Sequence, residues 1–140
     1  MQAAKGNELV AQRRTRWSVM PTWGATIWGV VASAALALVG VRFLLKERRI
    51  SVLGTSAAAA LLGPLLWDLV LRHTGGKFLV DAPGYVFPVS FEDTGSGIWA
   101  TAIAAIVLGF GSLRTATGRR IAQTALICGL ASFLVDIYLY

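Results

Sequence analysis

The amino-acid sequence predicts an all-α integral membrane protein whose four transmembrane helices form two tandem helical hairpins, a parallel two-plus-two repeat. Three observations predict it: the composition, four long apolar blocks, and a similarity between the two halves. Hydrophobic residues make up 56% of the 140 residues and charged residues 14%. An ordinary soluble domain has roughly 45–50% apolar and about 25% charged residues. A soluble fold of this length would leave too much apolar surface in water.

The apolar blocks cover residues 22–45, 50–71, 97–113 and 121–139. A helix needs about 20 residues, with a range of roughly 17–25, to cross the hydrocarbon layer. Only helices and closed barrels satisfy their backbone groups in lipid, and these blocks lack the alternating pattern of barrel strands. We therefore expect four transmembrane helices, of which the third begins slightly before Gly97.

These blocks divide the chain into a cationic tail (1–21), a first transmembrane hairpin (22–71), an extramembrane loop (72–96) and a second transmembrane hairpin (97–140). Val, Phe and Tyr on both sides of the turn sequence "DAPG" predict a short hairpin-like arrangement within the loop. Its aromatic side chains are suited either to a partner surface or to an interfacial cap over the helices.

The second half of the chain repeats part of the first. A shift of 71 positions gives eight identities over 27 positions without a gap, and closing three residues then aligns Asp68 with Asp136. Parallel repeats of this kind are related by an axis along the membrane normal. Chance matching among helices rich in Ala, Gly and Leu is the alternative explanation. The identical pairs are Gly24 and Gly95, Ile27 and Ile98, Trp28 and Trp99, Ala34 and Ala105, Gly40 and Gly111, Arg48 and Arg119, Arg49 and Arg120, and Ile50 and Ile121.

Small residues recur every four positions in the first and third apolar blocks. In lipid, helices associate through close packing of such residues. We expect these stripes to mediate packing within the bundle, or contact with another subunit. The stripes consist of Ala25, Gly29, Ser33 and Ala37 in the first block, and Gly97, Thr101, Ala105 and Gly109 in the third.

Asp68 and Asp136 are the candidate ionisable site, because charged residues inside a membrane span are functional suspects by default. The predicted topology places both near the same membrane face. Two neighbouring carboxylates can form a cation or proton site, since proximity raises one pKa. The alternative is structural, because Arg72 follows Asp68 by four residues, a spacing suited to a salt bridge.

Arginines cluster in both short connections between helices, where Arg48, Arg49, Arg119 and Arg120 are candidate contacts for anionic lipid headgroups. Seven basic residues lie on the side of the short connections and six on the side of the tail and long loop. Basic residues favour the cytoplasmic side of a membrane. We therefore expect the short connections inside and both termini outside.

The sequence contains no recognisable catalytic, cofactor-binding or metal-binding set. One histidine and one cysteine exclude a bis-histidine haem and a cysteine cluster within this chain. The net charge of +6 is divided between membrane flanks, which disfavours nucleic-acid binding.

The leading hypothesis is a noncatalytic accessory subunit of a larger membrane protein complex, whose partners are other membrane subunits and lipids. The alternative is a small homo-oligomeric transporter or channel that uses Asp68 and Asp136. The richness in Ala, Gly and Arg favours a bacterial cytoplasmic membrane as its location.

Overall fold

The computed structural model describes residues 22–75 and 91–139, without the side chains of residues 91, 92 and 139. This part of the chain forms four helices, and each is long and apolar enough to cross a membrane. The prediction of an all-helical, multi-pass membrane protein is confirmed at this level. The cationic tail and the "DAPG" turn lie outside the described residues. The helices are α1 (Trp23–Leu44), α2 (Ile50–Thr74), α3 (Phe91–Phe110) and α4 (Gly118–Leu139).

Three helices extend beyond the apolar blocks that predicted them, and α4 does so by beginning at Gly118 rather than Ile121. α2 continues to Thr74, and α3 begins at Phe91 rather than near Gly97. The first turns of α3 are polar, so hydropathy assigned them to the loop, although Ser96 Oγ donates to the carbonyl oxygen of Asp93 (3.0 Å) within the helix. The connection between α2 and α3 is accordingly shorter than the sequence predicted.

Local signals explain where the helices start and stop. Thr22 caps α1, because its Oγ1 accepts a hydrogen bond from the Ala25 amide (3.3 Å). α2 ends at Gly75, whose φ of 75° is the left-handed conformation that commonly terminates helices. Thr117 precedes α4, and its Oγ1 accepts from the Arg120 amide (3.4 Å).

The bundle places α2 and α4 in the middle. Both contact all three other helices, whereas α1 and α3 do not contact each other within the described ranges. The Cys128 thiol faces the Ser56 carbonyl (3.6 Å), and the Ser132 hydroxyl donates to the Ala60 carbonyl (3.3 Å). From the first contact to the second, the residue number rises by four in both helices, so α2 and α4 run in the same direction.

Small side chains line the interior of the bundle, so the helix backbones approach closely. A Cβ atom at Gly63 would lie 2.6 Å from the backbone nitrogen of Ala100, and one at Gly129 would clash with the Thr101 hydroxyl. Such contacts replace the hydrophobic effect as the source of helix association in lipid. Fully buried alanines at the helix contacts are Ala37, Ala60, Ala100 and Ala104.

The predicted small-residue stripe on α1 faces inward, whereas the stripe on α3 lies at the side of the interior. Gly29, Ser33 and Ala37 of α1 are buried within the bundle. In the stripe on α3, Gly97 is buried, whereas the remaining members, like Ala25 of α1, are half-buried. These stripes therefore pack the monomer. The half-buried stripe residues are Ala25, Thr101, Ala105 and Gly109.

The outer surface carries the large apolar side chains. Trp28 is 65% exposed and Ile98 62% exposed, although both are strongly hydrophobic. Exposure of such residues on all sides is the pattern expected of a surface that faces lipid. Small side chains and scattered polar groups thus fill the interior of the bundle, and bulky apolar side chains cover its outer surface.

Candidate functional site

Two polar clusters lie at opposite ends of the bundle. The first, called here the Asp68 cluster, consists of Thr26 of α1 with Asp68 and Arg72 of α2. The second, called the Glu47 cluster, consists of Glu47 and Arg49 from the connection between α1 and α2, together with Arg120 of α4. In each cluster a carboxylate binds arginine. The Asp68 cluster links α1 to α2, and the Glu47 cluster links the connection between α1 and α2 to α4.

In the Asp68 cluster, a buried carboxylate is held from two sides. Asp68 Oδ2 accepts from Arg72 Nε (2.7 Å) and from the Thr26 hydroxyl (3.4 Å). Arg72 Nη2 also donates to Thr26 Oγ1 (3.3 Å), so the three side chains close a triangle between α1 and α2. The salt bridge that the four-residue spacing predicted is present.

An aromatic ring completes the surroundings of Arg72. Its guanidinium carbon lies 4.3 Å from the ring centroid of Trp23, at the start of α1. A cation over an indole face is attracted by the ring quadrupole. This contact and the ion pair together direct Arg72 along the bundle end rather than away from it.

The two candidate aspartates differ in their surroundings. Asp68 Oδ1 is buried and has no hydrogen-bond partner among the residues that the structure describes. Asp136 is half-buried in the last turn of α4 and is not an unpaired carboxylate. The hydrogen bonds of Asp68 come from Thr26 and Arg72, so they do not join the two carboxyl groups. The described residues contain no group of three or more His, Cys, Asp or Glu side chains that could hold a metal ion.

Glu47 is the more completely bonded acid. Its Oε1 accepts from the backbone amides of Arg48 and Arg49 (both 3.0 Å) and from Arg49 Nε (3.1 Å). Its Oε2 accepts from Arg49 Nη2 and Arg120 Nη2 (both 3.2 Å). The hydrogen bond from the Arg49 side chain is the largest cause that lowers the pKa of Glu47, to about 2, although burial acts in the opposite direction.

The backbone of the connection turns sharply to bring Glu47 inward. Lys46 adopts a φ of 51°, in the left-handed region that non-glycine residues rarely occupy. The Glu47 amide donates to the Val41 carbonyl (3.4 Å), and Arg120 Nη2 donates to the Leu45 carbonyl (2.9 Å). Arg120 therefore ties α4 to both the side chain and the backbone of this connection.

Sequence reasoning did not single out Glu47. It treated "KERR" as part of a basic run, although Glu47 is the one acidic residue in either short connection. A single acidic residue among basic residues is the sequence signal that could have indicated an ion pair here. The structure also divides the four predicted headgroup contacts by their partners: Arg49, which is exposed, and Arg120, which is half-buried, bind Glu47. Arg48 and Arg119 are exposed and make no ion pair with the acidic side chains that the structure describes.

Hydroxyl and thiol groups form a polar seam inside the bundle. Ser56 Oγ donates to the Val52 carbonyl (2.8 Å), and Cys128 and Ser132 donate to carbonyls of α2. These groups bond to backbone rather than to one another. Their arrangement serves helix packing and lacks the adjacent nucleophile and base of a covalent catalyst.

Comparison of the chain with protein-family models, curated proteins and solved structures gives no match.

Proposed function

We propose that this chain is a noncatalytic accessory subunit of a larger membrane protein complex. The observation that carries the proposal is a small-residue surface on the outside of α2, formed by Gly54 and Ala58. Both residues are exposed, and a Cβ atom at Gly54 would meet nothing within 4 Å. Small residues four positions apart allow a second helix backbone to approach closely.

This surface differs from the stripes on α1 and α3, which the sequence predicts to pack within the bundle or to contact another subunit. Gly29, Ser33 and Ala37 are already buried against other helices of the same chain. Gly54 and Ala58 instead lie on a lipid-facing side, where residues such as Leu62 and Leu66 are large. A partner helix that packs on α2 would gain the close contact that lipid chains cannot match.

The charged clusters support a structural role. Asp68 is paired with Arg72, and Glu47 with two arginines, so each carboxylate is committed to a contact within the chain. Breaking such pairs costs stability, because a partner charge is left in a poorly solvated site. These groups hold a stable shape that a complex can use.

The test is purification in a gentle detergent through a C-terminal tag, followed by native mass determination. The wild-type chain should bring a stoichiometric set of different membrane proteins. The Gly54→Leu and Ala58→Leu double variant should still fold, but the amount of partner protein that purifies with it should fall at least tenfold. Ala102→Leu on α3 and Ala122→Leu on α4 are matched controls, because both alanines are exposed on helices other than α2. A solitary wild-type chain, or a double variant that keeps every partner, would contradict the proposal.

The second candidate function is a homo-oligomeric transporter or channel. The buried Asp68 Oδ1 atom without a partner favours it, since an unsatisfied carboxylate oxygen can accept a proton or a cation. A clean homo-oligomer in the same purification would support this alternative. The Asp68→Asn and Asp136→Asn double variant should then abolish cation or proton flux in proteoliposomes, and unchanged flux would remove it.

We further infer that the two hairpins are a parallel repeat. The central position of α2 and α4, with α1 and α3 outside, is what an axis between two equivalent hairpins requires. The hydrogen bonds between α2 and α4 join residues 72 positions apart, close to the sequence shift of 71. Four pairs related by that shift are buried in both helices: Thr26 and Gly97, Gly29 and Ala100, Ser33 and Ala104, and Ala37 and Leu108.

A further inference from the structure

The end of the bundle that holds the two short connections is rich in basic residues. Seven of the 13 basic residues lie there, and Glu47 is the only acidic residue there among those whose side chains the structure describes. Glu47 binds two arginines, so its negative charge is directed inward rather than towards a ligand. The remaining surface at this end is strongly cationic.

Five cations at this end make no ion pair with the acidic side chains that the structure describes. Four of them are exposed, and Arg42 is half-buried beside the ring of Phe43. Their charges are therefore available to an external anion. These five residues are Arg42, Lys46, Arg48, Arg114 and Arg119.

Exposed apolar side chains accompany this charge at the ends of three helices. Phe43 and Leu44 close α1, Ile50 opens α2, and Phe110 closes α3; the least exposed of them is 71% exposed. Cationic groups immediately beyond bulky apolar residues match the boundary between acyl chains and headgroups. A soluble acidic protein or a nucleic acid would leave these apolar side chains without a contact.

We propose that this end of the bundle binds the headgroup of an anionic phospholipid, with Arg48 and Arg119 as its principal contacts. The two arginines occupy matching positions in the repeat, each directly before an arginine bound to Glu47. The backbone amide of Arg48 is itself bonded to Glu47 (3.0 Å). Arg48 therefore extends from a backbone that Glu47 holds in place, and Arg119 extends from the first turn of α4, beside the Arg120 side chain that binds Glu47.

The phosphate is the chemical group recognised, and membrane lipid is its source. Arginine binds phosphate oxygens through paired N–H donors. In a zwitterionic headgroup, a cationic group offsets the negative charge of the phosphate and weakens this attraction. The attraction of a basic residue to an anionic membrane surface corresponds to roughly a fivefold change in affinity for each Lys or Arg. This inference holds whether or not the chain assembles with other subunits.

The experiment titrates detergent-purified full-length protein with phosphatidylglycerol or phosphatidylcholine and counts bound lipids by native mass spectrometry. The wild type should retain phosphatidylglycerol at least tenfold more strongly. The Arg48→Gln and Arg119→Gln double variant should weaken that binding by roughly 25-fold, if the two contributions add. The Arg48→Lys and Arg119→Lys variant, which preserves both charges, should keep most of the preference.

Three results would overturn the proposal. The first is equal retention of the two lipids, and the second is undiminished phosphatidylglycerol binding by the glutamine variant. The third is displacement of phosphatidylglycerol by millimolar inorganic phosphate, which would identify a site for free phosphate. Thermal unfolding should be the same for all variants, because both side chains are exposed, and a variant that unfolds early is replaced by the corresponding single substitution.

Discussion

Glu47 is the acidic residue that holds the connection between α1 and α2. It satisfies two backbone amides in a tight connection and binds side chains from two helices' ends. A carboxylate with this many donors is stabilised in its charged form. Glu47 therefore links the connection to the start of α4.

The Glu47→Gln variant should be less stable at pH 7 by about 1–3 kcal/mol, because hydrogen bonds to a charged group are stronger than those to an amide. The pKa of Glu47 is lowered from 4.5 to about 2 on folding, so its contribution is complete above pH 4.5 and is lost as the pH falls towards 2. The measurement is thermal unfolding in detergent from pH 7 to pH 2.

The difference in melting temperature between wild type and variant should accordingly shrink over that pH range. A difference that stays constant would mean that the carboxylate charge has no part in the stability. Arg48→Gln is the matched control in the same connection, since its side chain is exposed and its melting temperature should follow the wild type.

Asp68 illustrates what residue-level reasoning could and could not predict. The four-residue spacing to Arg72 predicted their salt bridge, because both positions lie on one helix. The contributions of Thr26 and Trp23 were not predictable, since they come from α1, more than 40 positions away. Local spacing is visible in a sequence, whereas the neighbour across a helix contact is not.

At the scale of the helices, glycine has opposite roles on the two sides of α2. Gly63 faces α3, where the Ala100 backbone leaves no space for a methyl group, whereas Gly54 faces outward with nothing near it. Both residues read alike in the sequence, as small residues within one apolar helix. Only the packing separates the one required for folding from the one available to a partner.

The Gly63→Ala variant should lose about 1–3 kcal/mol of stability, because the added methyl group forces α2 and α3 apart. The Gly54→Ala variant on the same helix should be as stable as wild type or slightly more stable, since alanine favours helices. Thermal unfolding of both proteins in the same detergent measures the contrast. Equal stability of the two variants would contradict the close contact between α2 and α3.

At the scale of the whole molecule, α2 and α4 are in contact along the centre of the bundle. The hydrogen bonds at this contact place Ser56 beside the single cysteine, Cys128. The neighbouring pair, Ala60 and Ser132, advances by four residues on both helices. Parallel central helices are the core of the proposed repeat.

The Ser56→Cys variant should therefore form an intrachain disulfide with Cys128 on oxidation with copper phenanthroline. The loss of both free thiols, counted by mass after alkylation in denaturant, measures the product. Gly54→Cys is the control, because Gly54 lies on the exposed side of α2 and its variant should keep its thiols or link separate chains. Intrachain bonding by the control but not by the Ser56 variant would contradict the register of α2 and α4.

The sequence by itself determined the number of spans, their approximate positions and the distribution of arginines, because length, hydropathy and charge are local properties. It could not separate inner from outer helix faces. In lipid both sides of a helix are apolar, so the periodicity that marks the buried face of a soluble helix is absent.

Three features depend instead on the tertiary structure: the burial of the α1 stripe, the outward position of Gly54 and Ala58, and the contact of Glu47 with Arg120, 73 positions away. Each of these depends on close approach between segments far apart in the chain. Such an approach follows from the fit of small side chains across helix contacts, which composition and spacing do not encode.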